Sequence, residues 1–427
     1  MNQLNQGQQE AAKGFFNFLF SDRKEFIISG PGGVGKTFLM GHLIDQIIPR
    51  YQESCRLLGI PPVYNSVVMT ATTNKAAEIL GKATRRPTQT IHSFLNLRVT
   101  EDYKTGVSKL QKSRSWKIHS NYIIFVDESS MIDTPLLNMI QEGTYQSKIV
   151  YVGDHCQLAP VKEIISPIYR RDLPFYELTQ PVRNAGQPAL MAACDQLRET
   201  VKTGKFRPIE IVPGVIDHLD EHQMQQEINS HFLNPDNDHR ILAYTNGRVI
   251  QYNDYIRELR GLPKLLTPGE RVINNTAIPL GENGMLSVED EFVVERVAPV
   301  TVKIPIDGDV ELEVLNCMLR GVHKTVTMPV PVDREHFRAL VKYYAKCKNW
   351  HKYYELKNTY PDLRPRDAIT IHKAQGSTYH TVFIDLTDLS TCHNPDTVAR
   401  LLYVAFTRAR ERIVLYGKLA PKYGGLK

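Results

Sequence analysis

The chain has 427 residues, 42% hydrophobic and 23% charged, with a formal net charge of +6. That supplies roughly two to four packed domains and excludes a disordered or low-complexity chain. No apolar run approaches the roughly 20 residues of a membrane span, and the polar start Met1-Asn2-Gln3-Leu4-Asn5-Gln6 is unlike a secretory signal, so a cytoplasmic protein with no membrane partner is expected.

Asn5 is placed to cap a helix running on through Phe15, Phe16 and Leu19. Phe26-Ile27-Ile28-Ser29 is the short apolar run of a buried parallel strand. It leads into Gly30-Pro31-Gly32-Gly33-Val34-Gly35-Lys36-Thr37, which fits the phosphate-binding pattern G-x-x-x-x-G-K-[ST] at every fixed position. Phe38, Leu39, Leu43, Ile44 and Ile47 then recur at helical spacing until Pro49 stops the pattern. Strand, glycine loop and helix are the parts a phosphate cradle needs. Backbone N–H groups close round the oxygens, and the helix N-terminus adds partial positive charge. Lys36 can reach the β- and γ-phosphates, and the Thr37 hydroxyl can take a place on Mg²⁺.

Further strands are expected at Ser66–Ala71, Tyr122–Val126 and Lys148–Val152. Alternation with helices predicts an α/β fold, a parallel sheet covered on both faces. This first lobe spans 1–176. Within it, Lys104-Thr105-Gly106 is a turn signal in a basic segment of about 97–120, read as a small projecting hairpin. A second α/β lobe without a phosphate loop spans 177–267 and 362–427, with strands at Arg240–Tyr244, Thr381–Leu386 and Arg412–Tyr416. Between them 268–361 looks inserted. It is β-rich, with runs at Phe292–Glu295, Val300–Val302 and the alternating Val310, Leu312 and Val314, then two helical stretches around Phe337–Tyr344 and Trp350–Tyr354. The six cysteines lie far apart and read as reduced thiols. Neither Cys347 with His351 nor Cys392 with His393 has a second pair at zinc-site spacing.

Asp127-Glu128 ends an apolar strand of the phosphate-loop lobe, at the sheet edge where ligands of open α/β sheets bind. Asp127 is suited to holding Mg²⁺, and Glu128 to orienting and deprotonating an attacking water. Gln157, in Gly153–Pro160, can hydrogen-bond a γ-phosphate oxygen or that water. In the second lobe Arg183 and Arg408 could reach across a cleft to the transferring phosphoryl group, or serve only as structural arginines.

Taken in order, the motifs resemble those of the superfamily 1 DNA helicases, RecD/Dda-like 1B branch. They are Gln8 with the phosphate loop, Thr70 to Ala77, Thr90-Ile91-His92-Ser93-Phe94, Asp127 to Met131, Gly153 to Pro160, Arg183, Thr370 to Ser377, and Tyr403 to Arg408. The resemblance implies two RecA-like P-loop NTPase lobes, with a β-hairpin pin in the first and an SH3-like β-rich insertion in the second. It implies ATP and Mg²⁺ as cofactors, bound through Gln8, Gly30, Gly32, Gly33, Val34, Gly35, Lys36 and Thr37, with Thr37 and Asp127 on the metal. Lys36, Asp127, Glu128, Gln157, Arg183 and Arg408 would act in hydrolysis. Thr72, His92, Ser93, Thr370, His372 and Lys373 would lie along single-stranded DNA crossing both lobes. Gln375-Gly376 would link DNA contact to the nucleotide. It further implies 5′-to-3′ movement by a monomer on forked duplex DNA. Partners would be single-stranded-DNA-binding or replisome proteins, in the host cytoplasm if the chain is phage-encoded. Two alternatives stay open: a motor acting on RNA, and an ATP-hydrolysing loader or clamp that does not unwind. The Tyr343–Tyr354 stretch reads either as a base-stacking surface or, in preference, as core with solvated lysines.

Overall fold

The computed structural model describes residues 3–160, 163–180, 187–281, 285–322 and 324–427. The first lobe is a parallel sheet in the order Phe175–Glu177, Glu25–Ser29, Lys148–Gly153, Tyr122–Asp127, Ser66–Ala71 and Thr88–Thr90. The middles of its central strands are apolar because both faces are covered. Phe26, Ile28, Phe125, Val150 and Val152 enter one core, while Ile27, Ile124, Val126, Ile149 and Tyr151 enter the other. At about 1.5–3 kcal/mol for each fully buried side chain, this two-sided burial dominates the lobe's stability.

The second lobe repeats the plan with Ile216–Leu219, Ala409–Tyr416, Tyr379–Asp385, His239–Ala243 and Ala368–Thr370, again all parallel. Both lobes therefore follow the expected α/β architecture.

Pro49 does not end the helix after the phosphate loop. The chain runs from Lys36–His42 through a π turn at Leu43–Ile47 into Ile48–Leu57, with Pro49 in the first turn of that last segment. Proline lacks an N–H and crowds the carbonyl four residues back. A π turn just before it changes the register, so the helix continues past the proline.

The inserted region forms an antiparallel sheet in the order Val302–Asp307, Val310–Arg320, Glu291–Val297, Arg271–Asn274 and Leu363–Pro365, with Thr325–Pro331 also on Val310–Arg320. The strand expected at Val300–Val302 begins only at Val302. Helices Arg334–Lys346 and Trp350–Thr359 follow. Tyr344 and Tyr354 are buried at 2% and 3% exposure, Trp350 and Tyr353 are half-buried, and Tyr343 stands well out.

The predicted hairpin pairs Leu97–Glu101 with Ser108–Lys112. Its tip rests on the Trp350–Thr359 helix. Asn358 Nδ2 donates to Glu101 Oε2 at 2.9 Å, and Tyr103 meets the Tyr354 ring edge-on at 5.4 Å. A Cβ on Gly106, whose φ is +70°, would lie 2.6 Å from the Trp350 ring.

Candidate functional site

The phosphate loop lies between the buried Glu25–Ser29 strand and the helix starting at Lys36. Gly33 and Gly35 hold φ of 84° and 80°, the left-handed region open to glycine. Gly30 is required by packing instead, since a Cβ there would sit 2.6 Å from the Leu178 carbonyl oxygen. Gly32 faces open space, and Val34 is buried in the core below. Lys36 Nζ donates to the carbonyls of Gly30 at 2.8 Å and Pro31 at 2.9 Å, which holds the ammonium against the loop. Thr37 follows in the first turn of that helix. Gln8 is 2% exposed. Its Oε1 accepts from the Asn5 N–H in a capping box, and its Nε2 donates to the Val34 carbonyl at 3.1 Å. Gln8 thus fastens the first helix to the loop.

Asp127 and Glu128 end the Tyr122–Asp127 strand, as expected. Glu128 has φ of 51°, a left-handed backbone that a side chain tolerates only where its surroundings hold it. Burial and the neighbouring Glu128 charge push the Asp127 carboxyl up to about 7, Lys36 opposing. A hydroxyl and two crowded carboxylates form an all-oxygen donor set, suited to a hard divalent cation such as Mg²⁺. The other cluster of metal-ligating types among the described residues is Asp154, His155 and Cys156. There Asp154 is already occupied by Arg198 and Tyr403, so it fits a metal poorly.

Glu128 also joins three parts of the molecule. Gln375 Nε2, from the second lobe, lies 3.4 Å from Glu128 Oε2 and 3.1 Å from Ser130 Oγ. Thr72 Oγ1 donates to the Glu128 carbonyl at 3.1 Å. Arg408 is 4% exposed, its guanidinium on the carbonyls of Val404 and Ser377 and on Thr407 Oγ1. Burial holds its pKa below the ordinary value, and the Glu128 carboxylate opposes that shift. The structure therefore brings Arg408 and Glu128 within electrostatic reach across the cleft. Arg183 falls in 181–186, outside the described residues. Gln157 is 4% exposed, and its Oε1 is buried with no hydrogen-bond partner among the described residues.

The remaining expected residues fall into matched local units. Thr90 and Thr370 each end an edge strand and cap a one-turn helix, with φ, ψ of −73°, 151° and −73°, 149°. Each hydroxyl oxygen accepts from the N–H three residues on, Ser93 or Lys373. His92 and Ser93 in one unit, and His372 and Lys373 in the other, thereby stand at equivalent places. Ser93 and His372 are exposed. Lys373 Nζ bonds Asn275 Oδ1 of the insert.

A second matched unit was not anticipated. Thr73 caps the helix after Ser66–Ala71, and Thr245 caps the helix after His239–Ala243. The local sequences are Ala71-Thr72-Thr73-Asn74 and Ala243-Tyr244-Thr245-Asn246, a signal readable in the chain. Arg198 and Arg400, which hold the Gly153–Pro160 loop, were also missed; lone arginines on helices carry no pattern.

Residues 3–212 match the family described as AAA domain, and residues 367–416 the UvrD-like helicase C-terminal domain. The chain is 25% identical over 459 aligned residues to the ATP-dependent DNA helicase dda of Enterobacteria phage T4, covering 95% of this chain and 98% of that protein. It is 20% identical to the uncharacterized protein R530 of Acanthamoeba polyphaga mimivirus, covering 96% and 99%. Among solved structures, the Pif1 helicase from Bacteroides in complex with ADP-AlF3 and ssDNA shares the fold. Its TM-score is 0.52 at 14% identity, over 99% of this chain and 94% of that one. Together the two domain matches and the full-length similarity to dda support a superfamily 1B helicase related to Dda.

Proposed function

We propose that the protein is an ATP-dependent DNA helicase that moves along single-stranded DNA in the 5′-to-3′ direction and unwinds forked duplexes. One observation carries this reading. Glu128, suited to activating water, is bonded on one side to Thr72 on the expected DNA track and on the other to Gln375 of the opposite lobe. The Thr72 bond reaches the Glu128 backbone carbonyl and the Gln375 contact reaches its carboxylate, so strand contact and lobe position each lie one hydrogen bond from the residue suited to activating water. In this reading the phosphate loop, Lys36 and Thr37 hold ATP. Asp127 and Thr37 hold Mg²⁺, which supplies charge neutralisation at the phosphates. Arg408, with Arg183, stabilises charge on the transferring phosphoryl group. Gln157 orients the attacking water. Thr72, His92, Ser93, Thr370, His372 and Lys373 hold phosphates of the strand without sequence choice. The Leu97–Lys112 hairpin is the strand-separating pin, and the β-rich insert supports it from behind.

The test pairs ATPase stimulation by single-stranded DNA with unwinding of tailed duplexes. Stimulated hydrolysis with preferential unwinding of a 5′-tailed substrate is expected. Preference for a 3′ tail would overturn the polarity. Stimulated hydrolysis with no unwinding of either duplex would make the protein a nucleotide-switched clamp or loader.

A further inference from the structure

The Gly153–Pro160 loop leaves the first sheet, yet its side chains are anchored in the second lobe. Cys156 and Leu158 are buried in that lobe's apolar core, beside Leu197 and Leu402. Arg400, on the Pro395–Phe406 helix, donates to the carbonyls of His155 at 2.8 Å and Gln157 at 2.7 Å. Asp154 is wholly buried. It accepts from Arg198 Nη1 at 2.6 Å, from the Tyr403 hydroxyl at 2.6 Å and from the Cys156 N–H at 3.1 Å. Arg198 sits on the Pro188–Thr203 helix and also donates to Glu177 at 2.8 Å. On the other side, His155 Nδ1 lies 2.8 Å from Ser29 Oγ, the last residue before the phosphate loop.

A buried ion pair returns little net stability, because desolvation offsets the attraction. What Asp154 and Arg198 fix is geometry: two lobes are pinned to one loop, and that loop carries Gln157. The Gln157 Oε1 is a buried acceptor with no partner among the described residues, an arrangement that is costly unless a donor such as water arrives.

We propose that Arg198 is a positioning residue for hydrolysis: acting through Asp154, and together with Arg400, it makes Gln157 follow the second lobe. This rests on the proposed function. Cleft closure then carries the Gln157 amide towards the γ-phosphate, and cleft opening withdraws it. Without the pair, Arg400 and the buried Cys156 and Leu158 still tie the loop to the second lobe, but the Gln157 amide follows that lobe less faithfully.

The experiment uses the full chain, ATP and oligothymidine. The wild type is measured first. No stimulation by DNA overturns the proposed function and this inference with it, whereas a stimulated wild type isolates the inference. Arg198→Met removes charge and fork; Arg198→Lys keeps the charge and loses the fork. The stimulated kcat is expected to fall roughly tenfold in Arg198→Met and less in Arg198→Lys, with the ATP KM and the oligothymidine Kd within about twofold. Asp154→Asn should reduce kcat similarly, and adding Arg198→Lys to it should cost little more. Wild-type kcat in folded Arg198→Lys and Asp154→Asn overturns the inference. So does a loss that tracks the melting temperature, or a KM that rises in step. Should Arg198→Met not fold, the Arg198→Lys and Asp154→Asn pair decides the matter alone.

Discussion

The two lobes carry the same pair of capped turns and use them differently. In each, one strand ends in an Ala-x-Thr-Asn cap, and the neighbouring edge strand ends in a Thr-Ile-His cap. In the first lobe the x position is Thr72, whose hydroxyl is bonded to the Glu128 backbone. In the second it is Tyr244, whose backbone N–H is held by Asp388 and whose ring lies 6.2 Å from that of His372. Thr72 of the first lobe meets the Glu128 backbone, whereas the second lobe meets the Glu128 carboxylate through Gln375, just past its Thr-Ile-His turn. The duplicated feature is the capped turn; in the proposed function both turns would hold the strand, while hydrolysis would rest on the first lobe with Gln375 and Arg408 supplied by the other.

The largest effect should come from the part that is not duplicated. Lys36→Ala is expected to abolish DNA-stimulated hydrolysis while leaving affinity for single-stranded DNA close to wild type, read by ATPase assay and fluorescence anisotropy. Retained hydrolysis would mean that the phosphate loop is not the catalytic one. Next, Arg408→Ala should lower kcat by roughly 10³-fold, the scale of an arginine acting on a phosphoryl group. If only ATP KM changed, the second lobe would bind nucleotide without taking part in hydrolysis.

These assignments differ in how far the chain discloses them. The phosphate loop and Asp127-Glu128 were readable because their chemistry depends on residues adjacent in sequence. The Thr-Ile-His units entered only through the family resemblance; that Thr90 and Thr370 cap matching one-turn helices emerged from the structure. Thr245 was passed over because Tyr244 breaks the likeness to Thr72-Thr73, and only the shared strand position restores it. Pro49 misled because a π turn upstream accommodates it, and no residue type announces such a turn. Arg198 acquires meaning only once Asp154 and Tyr403, both far away in sequence, close round it.

The duplication itself makes a prediction of intermediate size. The hydroxyl oxygens of Thr90 and Thr370 accept the cap bonds, and among the described residues neither O–H has an acceptor, so each can donate to a phosphate in the proposed function. Alanine at either place should cost about 1 kcal/mol of stability through the lost cap. It should also weaken single-stranded DNA binding by roughly tenfold, the scale of a hydrogen bond to a charged group. Matching losses at Thr90 and Thr370 would support equal grips. A loss at Thr370 alone would leave the first lobe holding the strand by other means.

The smallest effect concerns the two histidines of these units. Desolvation by the surrounding protein holds both His92 and His372 below their ordinary value of 6.5, although His372 keeps an exposed face, with Asp133 opposing the shift at His92. For the free protein, a depressed histidine contributes stability that is present above the unfolded-state value of 6.5 and lost as pH falls through it, because the unfolded chain takes up the proton first. Bound DNA reverses the sign. A phosphate beside each ring favours the imidazolium, so the bound-state pKa rises and binding takes up protons. Affinity for single-stranded DNA should therefore increase as the melting temperature falls, by about threefold between about pH 8 and about pH 6 at fixed salt. His92→Asn and His372→Asn should each remove part of that slope, and the double variant should flatten it. A slope that survives in the double variant would place the proton uptake elsewhere, and the two Thr-Ile-His turns would then share a backbone shape without sharing a contact.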